Sequence, residues 1–265
     1  MLVAGMYEEA MRVGLSLLFL AISSWYDLKE REVSNRVWMV FAPLGLALSL
    51  LHFHLTKDQN FLLSMGMSVL IVGGFSVALF YLGLFGGADA KALICLSLTL
   101  PVQPSFVRPL LKMVSPFFAF SVLVNAVVFS SASILGIALY NLYRGFGAGE
   151  NLFEGLESEP LLNKILAFFT GIKVDANKLG KSPHYIPLET VSTGEDGSRT
   201  RRLRIFFRLG EEPGEESLNE FKGFKGKVWV TPSLPFIVFI TAGFVAALLL
   251  GDILMWSAAQ LVSAI

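Results

Sequence analysis

This chain of 265 residues has one cysteine, three histidines and little charge. A lone thiol, Cys95, can form neither an internal disulfide nor a cysteine-based zinc site within one chain. His52, His54 and His184 are too few and too scattered for a metal centre. His52 and His54 follow an apolar run and read as solvated loop residues. Charged residues make up 16% of the sequence, against roughly a quarter in soluble domains. The 21 basic and 21 acidic residues cancel, so nothing in the overall charge points to nucleic acid as a partner.

What fills the chain instead is apolar. Hydrophobic residues reach 54%, and phenylalanine alone contributes 23. A membrane-spanning helix needs about 20 mainly apolar residues. Runs at 10–26, 37–53, 61–85, 89–101, 114–143 and 234–258 meet or approach that length. The fourth is the shortest and extends to 107 at most. The first does not read as a cleaved signal peptide. Glu8, Glu9 and Arg12 stand where a basic leader would, and Trp25, Tyr26 and Asp27 replace the small-residue cleavage site.

Residues 144–231 differ in kind, being polar and rich in Gly and Pro. Within them 161–170 reads as a short amphipathic helix stopped at Gly171. Segments 184–191 and 201–208 read as strands around a turn at 194–197, with another short strand at 228–231. The basic run 199–204 reads as a solvated strand face. The expected architecture is a polytopic all-α membrane protein with about six transmembrane helices. A small α+β cytoplasmic insertion precedes the last helix. The expected divisions are a membrane part at 1–143, the insertion at 144–231 and a last helix completing the membrane part at 232–265. Lys29, Arg31 and Arg36 set the orientation, because basic residues in short loops stay in the cytoplasm.

Two carboxylates stand out against this background. Asp27 ends the first apolar run and Asp89 opens the fourth, and each is followed two residues later by a lysine, Lys29 and Lys91. Alternating topology puts both at the cytoplasmic edge, at one depth. Alone, each has a plainer reading. Asp89 suits a helix N-cap, and Asp27 suits an interfacial residue paired with Lys29 or Arg31. Gly86 and Gly87 before Asp89 suit a turn between helices, and also a close approach of extended backbone. Lys29 and Lys91 suit snorkelling to headgroups or tuning of the aspartates. Asp252 lies on the opposite side and reads as interfacial. Ionisable groups in membranes default to a functional hypothesis. Two carboxylates sharing a site hold one proton between them, the arrangement of aspartic proteases. Such chemistry needs no metal and no cofactor.

The residues around both aspartates resemble those of the prokaryotic type IV prepilin peptidase family, especially its archaeal preflagellin peptidase branch. The family's Asp-x-Lys element, followed by an Ile/Val-Pro/Ser-Asn step, is matched by Asp27-Leu28-Lys29 and Val33-Ser34-Asn35. Its Gly-x-Gly-Asp element with a following lysine is matched by Gly86-Gly87-Ala88-Asp89-Ala90-Lys91, with Ala88 in place of the second glycine. The stretch 228–236, Trp-Val-Thr-Pro-x-x-Pro-Phe from Trp229, also looks like the archaeal branch. The resemblance implies a membrane aspartic endopeptidase with Asp27 and Asp89 catalytic, supported by Gly86, Gly87, Ala88, Lys29 and Lys91. It implies a pilin-like precursor as substrate, cut where its short basic leader meets an apolar segment. Bacterial members carry a cysteine-rich segment after the first helix and also methylate the product. With Cys95 alone here, no methyltransferase activity is implied. The alternatives are a proton-coupled transporter using the same aspartates and a scaffold binding a partner through the insertion. Against the transporter, both carboxylates lie at one membrane edge, not at mid-depth.

Overall fold

The computed structural model describes residues 2–179, 185–193, 199–204, 221, 224, 226–232 and 234–263. Two compact units result. One comprises Met1–Ser130 with Pro235–Ile265, and the other Ser131–Leu234.

The first unit is helical. Its elements are α1 (Leu2–Glu30), α2 (Asn35–Thr56), α3 (Gln59–Ser68), a π-turn (Val69–Gly73), α4 (Gly74–Tyr81), α5 (Gly87–Thr99), the first half of α6 (Phe118–Leu142, which passes into the second unit at Ser131), α8 (Phe236–Leu249) and α9 (Ile253–Ser263). The intervening α7 lies in the second unit. Helix α1 shows why these segments pack as they do. Its buried face, at three- and four-residue spacing, is Glu8, Arg12, Ser16, Leu20, Ser23 and Ser24. Its exposed face includes Leu17, Leu18, Ile22 and Trp25. A soluble helix turns its apolar stripe inward. In lipid the outside is already apolar, and small or polar side chains make the helix–helix contacts.

Among the described residues three helical stretches are long and apolar enough to cross a membrane. They are Asn35–Thr56, Gln59–Tyr81 and Phe118–Gly147, the last including a π-turn after α6. A fourth results if α8 and α9 count as one span bent by 57°. All six expected apolar runs are helical, but two do not meet the criterion. Helix α5 has only 13 residues, about 20 Å at 1.5 Å per residue. Helix α1 is long, yet charged residues stand toward both its ends, Glu8, Glu9 and Arg12 at the start and Asp27, Lys29 and Glu30 at the finish. The last run is also not one straight helix. Gly251 takes φ +97° at the break, a conformation open to glycine and strained for other residues. Asn125 of α6 spans that break, donating to the Gly251 carbonyl at 2.8 Å and accepting from the Ile253 amide at 3.1 Å. Asp252, read above as interfacial, is fully buried and accepts the Met255 amide at 2.9 Å, starting α9.

A buried polar cluster joins α1, α2 and α5. Arg12 pairs with Glu8 at 2.9 Å and donates to the Thr99 carbonyl at 3.3 Å. His52 meets the other Glu8 oxygen at 2.5 Å and packs on the Phe61 ring. His52 is therefore a buried helical residue, not the solvated loop residue expected from its position after an apolar run. His54 is exposed but also lies within α2.

Among its described residues the second unit contains α7 (Leu161–Thr170) and five strands: β1 (Ile172–Asp175), β2 (Tyr185–Pro187), β3 (Glu189–Thr193), β4 (Arg199–Leu203) and β5 (Lys227–Pro232). One antiparallel sheet has the order β1-β5-β2, and β3 pairs with β4 in another. The expected strand at 184–191 is thus two strands in different sheets. Leu188 is the crossing point: its amide bonds to Trp229 and its carbonyl accepts from Arg204. The expected strand at 201–208 begins earlier, at Arg199, and β4 ends at Leu203. His184, the turn at 194–197 and residues 205–208 lie outside the described residues. The basic run is not wholly a solvated face. Arg201 grips buried Glu189 through two bonds of 2.8 and 2.9 Å, and Glu189 also accepts the Trp229 amide at 2.6 Å.

Removing one member of a buried, hydrogen-bonded ion pair leaves the other desolvated and unpaired. Glu189→Ala is expected to destabilise the protein by about 3–5 kcal/mol, with Glu189→Gln losing less because it still accepts from Trp229. Thermal unfolding of the two variants measures the difference. The Glu150 carboxyl is pulled down to about 2, first by the Arg144 guanidinium and then by the Lys227 ammonium. Its folded value lies below its ordinary 4.5, so its contribution is present above that pH and is lost as pH falls toward 2. Acid titration of the unfolding transition should show this loss in the wild type and not in Glu150→Gln.

Candidate active site

Asp27 and Asp89 both lie in the first unit, and each carboxylate is bound to the opening of a helix. Asp27 sits in the last turn of α1. There it accepts the Ile237 amide at 3.2 Å, in the first turn of α8. Free amides at a helix start hold an anion well. Asp27 is therefore tied to a residue 210 positions away in the chain. The expected partner Lys29 instead meets Glu30 at 3.8 Å, both exposed. Arg31 is among the charges that act on Asp27.

Asp89 is not the N-cap of α5. Gly86 holds that position, and Asp89 stands three residues in. Its carboxylate reaches back to accept the Gly86 amide at 2.9 Å, while its own amide donates to the Gly86 carbonyl at 3.1 Å. This is the carboxylate half of a capping box, with a glycine where Ser or Thr would stand. The glycine leaves space: a Cβ on Gly86 would sit 3.0 Å from Asp89 Oδ2. Gly86 is exposed, whereas Asp89 is 8% exposed. Gly87 and Ala88 are half-buried in the first turn of α5. The Gly86-Gly87-Ala88 segment is thus a lip over a buried carboxylate.

The helices that carry the two aspartates, α1 and α5, are in contact within the first unit. Lys91, two residues on, points elsewhere. It donates to Asn35 Oδ1 at 2.6 Å and is exposed. That contact links the two sequence motifs, because Asn35 opens α2 just after the loop from α1. Lys29 is exposed and turns to Glu30. Sequence reasoning did not find Ile237, Ser24 or Thr241. Ser24 and Thr241 share a hydroxyl contact of 2.7 Å, and Thr241 donates to the Ile237 carbonyl at 2.9 Å. The Asp27 carboxylate accepts the amide of that same Ile237. No sequence signal marks a backbone amide, although a Ser and a Thr facing each other in apolar runs are a weak one. Among the described residues no group of three or more His, Cys, Asp or Glu side chains converges as a metal site would.

Comparison with known proteins shows the family. Residues 14–140, which contain both aspartates, match the model of the type IV leader peptidase family. Residues 163–253 match the archaeal peptidase A24 C-terminus, type II. The chain belongs to the type IV leader peptidase family. A preflagellin peptidase of Methanocaldococcus jannaschii is 24% identical over 88% of this chain and 91% of its own length. A preflagellin peptidase of Methanococcus voltae is 26% identical over 90% and 94%. An uncharacterized protein of M. jannaschii is 31% identical over 87% of this chain and 69% of its own length. This leader peptidase relative is therefore a membrane protein of mostly helical build, with a peptidase family's sequence over nearly its whole length.

The Ser24–Thr241 contact braces the α1–α8 pair beside Asp27. Thr241→Val should destabilise the solubilised protein by about 1 kcal/mol, and Thr241→Ser should retain the wild-type value. Thermal unfolding followed by circular dichroism reads the contrast.

Proposed function

We propose that this chain is a membrane-embedded aspartic endopeptidase that removes the short basic leader from preflagellin or another type IV pilin-like precursor. The observation that carries the reading is that Asp27 and Asp89 stand on two helices in contact, α1 and α5. Each carboxylate is fixed by a backbone amide at a helix start. The named relatives support the substrate class. All six apolar runs form helices, and we read them as six spans. In that reading α5 is covered largely by its neighbours, whereas α1 turns Leu17, Leu18, Ile22 and Trp25 outward. Loop charges then put the site at the cytoplasmic face, where the leader of such a precursor would meet its apolar segment.

The chemistry follows from two carboxyl groups sharing one proton. The ionised carboxylate takes a proton from water as its oxygen attacks the scissile carbonyl carbon. The protonated partner gives its proton to the carbonyl oxygen. Collapse of the resulting diol breaks the C–N bond, the leaving nitrogen takes up a proton, and both carboxyl groups return to their starting sum of one proton. The exposed Gly86 lip beside Asp89 suits an extended peptide, which needs backbone clearance at the cleaved bond.

Asp27→Asn and Asp89→Asn should each lower cleavage of a pilin-like precursor at least ~10²-fold, with the protein still folded in the membrane. The measurement is leader release from the precursor in membranes carrying each variant. Substantial cleavage by either variant refutes the paired mechanism.

A further inference from the structure

Helix α7 carries its apolar side outward. Its exposed side chains are Leu161, Leu162, Ile165 and Phe169, all of them apolar. At 3.6 residues per turn these four fall within an arc of about 100°. Ala167, on the opposite side, is buried in a core with Leu156, Leu188 and Trp229. A water-soluble domain would orient such a helix the other way.

The end of α7 is fixed to a spanning helix. Asn141 of α6 is buried, and its amide nitrogen donates to the carbonyls of Phe168 and Gly171, both at 2.7 Å. The stretch Phe118–Gly147 has 30 residues. At 1.5 Å per residue it measures about 45 Å, matching a bilayer of about 40–45 Å with both headgroup layers. Asn141 lies six residues from its end, or about 9 Å. That is headgroup depth. The residues around it carry the marks of that depth. Tyr140, Tyr143 and Phe146 are exposed there, as in the aromatic belts at membrane–water interfaces.

We propose that α7 lies in the boundary between headgroups and acyl chains, with Leu161, Leu162, Ile165 and Phe169 inserted into the bilayer. The occupant of this apolar face is lipid, because the face is held by Asn141 to the lipid-exposed end of a span. Interfacial helices of this kind bury their apolar side about 5–10 Å into the boundary. The docking keeps the insertion on the membrane surface. It requires only that Phe118–Gly147 crosses the bilayer and does not depend on the peptidase mechanism.

Spin labelling of the full chain in phosphatidylcholine–phosphatidylglycerol vesicles tests this. Cys95 is buried and is replaced by Ala. Single nitroxides are then placed by Leu162→Cys and Ile165→Cys. Leu139→Cys on the spanning helix serves as the lipid reference, and Glu154→Cys, exposed in the insertion, as the water reference. Labels at 162 and 165 should collide with dissolved oxygen in preference to a water-soluble nickel chelate, as at 139. Labels that meet the chelate as freely as at 154 overturn the proposal. Labels shielded from both reagents also overturn it, since another protein surface then covers α7.

Discussion

The membrane unit depends on one contact above the others: the Asp27 carboxylate accepting the Ile237 amide. It joins the end of the first helix to the start of α8. A carboxylate at a membrane edge is costly, and so is a free amide at a helix start. Each offsets the other's desolvation. Ser24 and Thr241 brace the same junction by gripping each other and the Ile237 carbonyl. The geometry of Asp27 is therefore set by packing between helices distant in the chain.

Asp89 is fixed differently, by its own chain. The Gly86 amide lies three residues back, and the capping geometry needs no other element. One aspartate is thus held locally and the other by tertiary structure. Any motion between α1 and α5 changes the separation of the carboxylates without disturbing how Asp89 is held. At the far end of α1, the Glu8, Arg12 and His52 cluster joins α1 to α2 and reaches the end of α5. Helix α1 is pinned at both ends by polar contacts, and its middle packs on Leu20 and small serines.

The insertion has a separate logic. Its two sheets meet at Leu188, and its core centres on Trp229, whose amide is held by Glu189 and whose ring stacks on Phe153. A buried ion pair contributes little net stability against an apolar alternative, yet breaking it is expensive. Here Glu189 and Arg201 fix the register of β3 on β4 and bring both to β5. The chemistry of the basic run is thus split: Arg201 turns inward to Glu189, whereas Arg202 stays exposed.

The apolar runs, the polar insertion and the two Asp-x-Lys-type motifs were legible because composition and spacing record them directly. Family membership rested on the same residues. Three features were not legible. The histidine at 52 reads as a loop residue, since only α1 supplies the Glu8 that makes its burial tolerable. The strand at 184–191 divides at Leu188, because its two halves find different partners. The last apolar run breaks at Gly251 because Asn125 of another helix satisfies the freed backbone groups. In each case the deciding partner is far away in sequence. By itself the sequence determined which segments are helical and apolar, and which carboxylates stand out at their ends. Tertiary structure decided what those carboxylates touch, because hydrogen-bond partners 210 residues apart are chosen by packing and leave no local pattern.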